Sequence, residues 1–299
     1  MPVFKQSYPT WRPNQGVGSQ EAGAQRTRVR WLPIVRRELE QLVSQRGFKI
    51  LLVVAALPVL VHLLQIYSVN KLAAEPNGEL AAMLRNVSIT IDAEFFFRFL
   101  HVQTFFVFVL MLYASSGLLC DDIRLNLAEV YFSKPLTKRD YLLGKVVTVV
   151  GLGLTYTALP ALFLFVSQLM MVPDPEYLAA NWWVPLSSLA FSLVFVIPTA
   201  TATLACSALT SSRRYAAAAV ITLLVANGFV ATLLSEILNR RSVAVINVPE
   251  AMSRVGESLF SLESYIPLGW PWAMSVVASV ALVGLVVLVH RINRVEAGL

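Results

Sequence analysis

The stretch 270–289, WPWAMSVVASVALVGLVVLV, holds 20 residues without a single charge and is closed by His290-Arg291. As an α-helix, such a run rises about 30 Å, the thickness of a bilayer's hydrocarbon core. A helix that is apolar on every side for that length has no polar face to turn to water, so this segment decides the class of the fold. Five further blocks of similar character give spans at 48–69, 95–119, 146–172, 183–209 and 215–234 beside 270–289. Inside a bilayer the backbone must satisfy its own hydrogen bonds, which makes each block a helix. The predicted fold is an all-α integral membrane protein with six transmembrane helices. Composition agrees: 57% of the 299 residues are hydrophobic and 14% charged, where soluble domains carry roughly 25% charged residues. A soluble globular protein is excluded, and 2 cysteines cannot make a disulfide framework.

The second span carries Arg98, His101 and Gln103 in its opening turns. A charge at mid-membrane costs at least ~2.5 kcal/mol, so these three are expected at an interface or against protein. Pro58, Pro160 and Pro198 interrupt spans one, three and four and predict kinks, tolerable where neighbours re-satisfy the freed carbonyl. The remaining polar residues within spans include Gln65, Gln168, Asn227 and Thr199, Thr201 and Thr203. They serve either as hydrogen-bonding glue between helices, worth ~0.6 kcal/mol each, or as the lining of a pathway. The alternating threonines cannot share one helix face, which favours glue.

Basic residues set the orientation. With the N-terminus inside, 18 of the 24 Lys and Arg fall on the inner side with 8 acids, net +10, while the outer side has 6 and 10, net −4. The positive-inside rule therefore places both termini in the cytoplasm. Residues 1–29 lack an apolar signal-peptide core and have the composition of a disordered cytoplasmic tail.

Residues 30–47 have helical periodicity, with Trp31, Val35, Leu39, Leu42 and Val43 on one side and Arg36, Arg37, Glu40, Gln41 and Ser44 on the other. This is the pattern of an amphipathic helix lying in the inner headgroup layer before a permease domain at 48–299. Between spans two and three, Asp121 or Asp122 can cap a short helix to about Phe132, which Ser133-Lys134-Pro135 then ends. Thr137 and Asp140 form a capping box for span three. A rigid cytoplasmic helix joined by a tight turn to a span can transmit force. Outside, Leu80, Met83, Leu84, Val87 and Ile91 predict one amphipathic helix, and Met252, Val255, Leu259 and Leu262 another, both on or in the outer leaflet.

No catalytic constellation emerges. His62, His101 and His290 lie on different spans without metal-ligand spacing. Asp121-Asp122 lacks the third acid of a diphosphate–magnesium motif, and no intramembrane protease motif occurs. Gly144-Lys145 has Arg139 where a phosphate loop requires glycine, so any ATP site must belong to another polypeptide. The chain is expected not to be an enzyme and to bind no cofactor or metal itself.

From residue 30 onward the chain resembles the permease subunits of type-2 ABC exporters. The most specific likeness is Asp122 to Lys145, an acidic residue closing span two, a short helix, then Ser133-Lys134-Pro135-Leu136-Thr137-Lys138-Arg139-Asp140-Tyr141-Leu142-Leu143-Gly144-Lys145. Family members have a similar Ser-x-Pro-[Ile/Leu/Val]-[Ser/Thr]-[Arg/Lys] run followed by Tyr-Leu-Leu-Gly-Lys. The basic helix before span one and the enlarged loop before span six are also like the family; a tail as long as 1–29 is not part of its common pattern.

The resemblance implies a permease working as a dimer, with a second copy or homologue, on a pair of ATP-binding cassette subunits that carry ATP and Mg. The helix between spans two and three would be the coupling helix. By position its contact candidates are Asp121, Asp122, Arg124, Glu129, Lys134, Pro135, Arg139 and Tyr141. The protein would sit in the cytoplasmic membrane of a prokaryote and export a substrate that the sequence does not specify, with the lipid bilayer and no nucleic acid as its surroundings. Two alternatives stand: an ATPase-coupled scaffold or mechanical transmitter without transport, and an ATP-independent secondary transporter, which missing internal repeats and missing acids in the span centres argue against.

Overall fold

In a computed structural model the described residues are 31–74, 90–125, 137–172, 175–239, 246–264 and 269–297. They are almost wholly helical, with no strand among them. Helix α1 (Leu32–Ser44) leads into α2 (Arg46–Ala74); α3 (Ala93–Leu118) is followed after a break at Leu119 by the short α4 (Cys120–Arg124). Then come α5 (Lys138–Met171), α6 (Pro175–Asn181), α7 (Val184–Leu209), α8 (Arg213–Ile237), α9 (Val248–Leu259) and α10 (Trp270–Ala297). Six of these helices, α2, α3, α5, α7, α8 and α10, are long and apolar enough to cross a membrane. The tail 1–29, the first outer helix apart from Ile91, and Glu129, Lys134 and Pro135 lie outside the described residues.

α7 is the axis of the bundle. It packs against α3, α5, α8, α9 and α10, and 67% of its most apolar stretch is buried, against 12% for α8. Small side chains permit this. Gly284 of α10 sits so close to Thr201 of α7 that a Cβ there would meet the Thr201 backbone at 2.8 Å, the close approach that small residues allow between membrane helices. Around this axis Val107, Met111, Val149, Val196, Leu204 and Leu288 form the main core. A second cluster at one end is aromatic, built from Phe95, Phe96, Phe99, Phe165, Phe191 and Phe260.

One side chain bonds to the backbone beside two of the three interior prolines. Gln103 of α3 is fully buried and its amide nitrogen donates to Tyr156 O at 2.8 Å and to Ala55 O at 2.9 Å. Tyr156 precedes Pro160 by four residues, so its carbonyl is the one that loses its helical partner to that proline, while Ala55 lies in the turn just before Pro58. Gln103 thus joins α2, α3 and α5. Arg98, by contrast, is exposed and pairs with Glu94 at 2.5 Å. Asn70 of α2 donates to Gln168 of α5 at 2.8 Å, a direct bond between two of these helices.

The expected faces of α1 are shifted. Its buried residues are Ile34, Glu38 and Leu42, whereas Val43 is 46% exposed. Apolar periodicity alone selects Val43; the burial of a glutamate turns the helix the other way. The capping box at the start of α5 is present, with Thr137 Oγ1 accepting from Asp140 N and Asp140 Oδ2 accepting from Thr137 N, both at 3.2 Å. The two acids of α4 do not cap it, since Leu119 is its N-cap residue.

Candidate functional site

The polar side chains buried at one end of the bundle converge where α1, α4 and α5 meet. Lys145 of α5 is completely buried. Its Nζ lies 2.5 Å from Glu38 Oε1 of α1 and 2.7 Å from Asp122 Oδ2 of α4, and donates to Leu118 O at 2.9 Å. Tyr141, one turn before it, donates its hydroxyl to the same Asp122 Oδ2 at 2.7 Å. The ammonium also lies 5.5 Å from the centroid of the Tyr141 ring, within cation–π range. All three donors of the lysine are therefore used, one by each of three different segments.

The local sequence explains why these segments meet. Gly144 precedes Lys145, and a Cβ on it would meet Ile34 at 3.0 Å, so α1 seats directly on the α5 backbone where the lysine emerges. Ile34 and Glu38 are one turn apart on α1 and lie on one face. Glycine thus admits the helix and lysine holds it. The lone Gly144-Lys145 pair, which fails as a phosphate loop, is a docking point for α1.

Asp121 and Asp122 divide their work. Successive residues of a helix point about 100° apart, so Asp122 faces α1 and α5 while Asp121 faces α8. There Arg213 Nη2 lies 2.5 Å from Asp121 Oδ2, and Arg124 Nη2 lies 3.5 Å from Asp121 Oδ1. The break at Leu119 is satisfied by α7: Ser207 Oγ accepts from Cys120 N at 3.2 Å and from Leu119 N at 3.4 Å, and donates to Ser116 O at 3.0 Å. Arg291 of α10 donates to Ala208 O at 3.2 Å. Every long helix but α2 has a polar tie at this end, and α2 is joined to it through α1.

No protein-family model matches the chain, and no curated protein matches it. The site therefore stands on its own geometry.

Of the residues singled out in the sequence, Asp122 and Tyr141 face inward and are spent within the chain, Asp121 is partly covered by Arg213, and Arg124 and Arg139 are exposed. On α1, Trp31, Val35 and Leu39 are half-buried, and Arg36 and Arg37 are exposed. Arg36 pairs with Glu40 at 2.8 Å, and that hydrogen bond raises the guanidinium pKa further above its ordinary value. Glu38, Lys145, Ser207 and Arg213 were not expected to act together. The signal that could have found Glu38 is a charge in the middle of the apolar stripe of α1, and for Lys145 it is a basic residue at the threshold of a span. Cys120 and Cys206 are free and buried. Among the described residues no group of three or more His, Cys, Asp and Glu side chains is placed to hold a metal ion. His62 Nδ1 donates to Pro58 O at 2.8 Å, and the ring lies edge-on against Phe95 and Phe99.

Chemically, the arrangement is a mechanical joint. A buried lysine between two carboxylates is strongly destabilised if any partner leaves, because an uncompensated charge stays behind. Such a joint keeps α1, α4 and the end of α5 in one fixed relation, so displacement of α4 must move the others.

Proposed function

We propose that this chain is the membrane-spanning permease subunit of an ATP-binding cassette exporter. Its segment between spans two and three would act as the coupling helix and α1 as a helix in the inner headgroup layer. The observation that carries the proposal is the Lys145 joint. It ties α4 both to α1 and to span three, which is what a segment receiving force from a partner needs. The resemblance of 122–145 to type-2 permeases and the excess of basic residues at this end support the same reading, with both termini in the cytoplasm of a prokaryotic cell.

On this reading the cassette subunit holds ATP and Mg, and the permease pairs with a second copy or homologue. Arg124 and Arg139, exposed beside the joint, are the side chains that touch the ATPase. Asp122 and Tyr141 do not touch it; they set the geometry it acts upon. ATP-driven closure of the cassettes pushes α4, and the joint passes the push to α5 and α1.

The test is to purify the full chain in mild detergent and ask whether a Walker-containing ATPase accompanies it. Its presence, and its loss in an Arg124→Glu/Arg139→Glu variant that still elutes as a folded protein, is the expected result. Preparations free of any such ATPase under several conditions overturn the proposal. Substrate movement in vesicles carrying the complex separates an exporter from a scaffold that only transmits force.

A further inference from the structure

A cavity of about 530 Å³ lies away from the joint, between α3, α7, α8, α9 and α10. It is long and narrow. Its lining on α7 runs from Phe191 to Cys206, about 22 Å along a helix and so most of the depth of a bilayer's hydrocarbon core. Its floor is inside the bundle, where Phe191 is 2% and Thr203 1% exposed. Its rim is open, for Phe105 on α3 and Leu223 on α8 are 66% and 63% exposed. The opening is therefore sideways, between two spans.

The polar atoms along the slot are nearly all turned away from it. Thr199 and Thr203 donate to Phe195 O at 2.7 Å and Thr199 O at 2.8 Å, on their own helix, so what they offer the slot is methyl groups. Thr104 donates to His101 O. The Asn227 amide is consumed at the start of α9, donating to Ile246 O at 3.0 Å and accepting from Val248 N at 2.9 Å. One polar place remains, where His101 Nδ1 and Ser253 Oγ stand 3.4 Å apart; His101 Nε2 has no hydrogen-bond partner among the described residues. The slot is dry along its length and polar at the α9 end. An apolar cavity of this kind excludes water, and its volume lies in the range of ligand-binding pockets.

We propose that this slot binds one alkyl chain of a membrane phospholipid, entering between α3 and α8, with the lipid's polar head held by His101 and Ser253. The chemistry recognised is a long alkyl chain with a hydrogen-bonding head. The slot's length, sideways opening and polarity gradient match that shape, and the six spans place it at the right depth. With the orientation proposed above, the lipid belongs to the outer leaflet. Binding itself requires only the spans and stands independently of any ATPase.

The experiment uses the full chain in phosphatidylcholine vesicles containing a trace of phosphatidylcholine with a photoactivatable diazirine on one acyl chain, with peptides mapped after illumination. Label concentrated on Phe195–Thr203 and around Met252, above that on bilayer-facing residues such as Leu60 and Leu282, is expected. Ala202→Trp, which fills the slot, and Leu223→Trp, which closes its mouth from the exposed rim, each lower the slot label about tenfold without changing that on Leu60. Either variant suffices where the other fails to fold. A parallel arm uses a free fatty acid bearing the same diazirine. Equal labelling of slot and outer faces, slot label unchanged in a folded variant, or slot label from the fatty acid alone overturns the proposal.

Discussion

The two ends of this bundle are held by opposite means. At one, four charged or hydroxyl-bearing side chains, Glu38, Asp122, Tyr141 and Lys145, are buried within hydrogen-bonding distance of one another. At the other, aromatic rings pack against one another, and from their edge at Phe191 an elongated cavity runs along α7, its threonines bonded to their own helix. Ionic contacts in a low dielectric are strong and directional, so they permit essentially one arrangement. Aromatic and methyl surfaces are tolerant, so helices can shift against them at little cost. On the proposed function, the difference separates a place where motion of one helix is transmitted from a place where space between helices can be filled or emptied.

The most direct way to break the contrast is Lys145→Ala. It leaves two buried carboxylates facing each other and should cost about 3–5 kcal/mol, read as a large fall in the midpoint of thermal unfolding in detergent. The triple variant Glu38→Gln/Asp122→Asn/Lys145→Met removes all three charges and should be less destabilised than Lys145→Ala alone. It should nevertheless lose the transmission. If Lys145→Ala alone unfolds like the wild type, the joint is not ionic in the way described.

Gln103→Leu is the intermediate case, at the centre between the two ends. It removes the donor shared by Tyr156 O and Ala55 O, and with it Gln103 Oε1, which is buried without a hydrogen-bond partner among the described residues. Two interhelical bonds in a membrane are worth about 1 kcal/mol together, partly offset by loss of that orphan oxygen. The expected result is a drop in unfolding midpoint well short of that for Lys145→Ala. Arg213→Ala should have a smaller effect still. Its side chain is 45% exposed, and ion pairs in contact with water contribute about 0–1 kcal/mol. Its signature is salt dependence: high salt should narrow the gap between wild type and variant.

The spans were legible in the sequence because each is a contiguous apolar run, and the capping box because it is local, confined to Thr137–Asp140. Gln103 was placeable at an interface or against protein from its polarity within a span. Its partners were not, because which carbonyls come within its reach is settled only when three helices pack. Lys145 and Glu38 are 107 residues apart, and nothing local distinguishes a lysine that joins helices from one that marks the inner face of a membrane. The charge count put both to use only for orientation. The cavity was hidden for the same reason, since five separate elements build it and each contributes residues that look like ordinary span. Of the alternatives for the in-span polar residues, Gln103, Gln168 and Asn227 act as glue. Thr199 and Thr203 face the cavity four residues apart, while Thr201 faces Gly284.

The smallest predicted effect is the sharpest test of the contrast. In Thr199→Val and Thr203→Val a hydroxyl is replaced by a methyl of nearly the same shape. Where a buried hydroxyl bonds another helix, that exchange leaves its partner unsatisfied. Here each hydroxyl bonds a carbonyl four residues back that its own helix already engages, so the unfolding midpoint should stay within the shift expected for about 0.5 kcal/mol. The parallel exchange at the ionic end, Ser207→Ala, strips Leu119 N, Cys120 N and Ser116 O of a shared partner and should cost clearly more. Equal sensitivity at Thr203 and Ser207, one turn apart on the same helix, would mean that the cavity wall and the ionic end are not built differently after all.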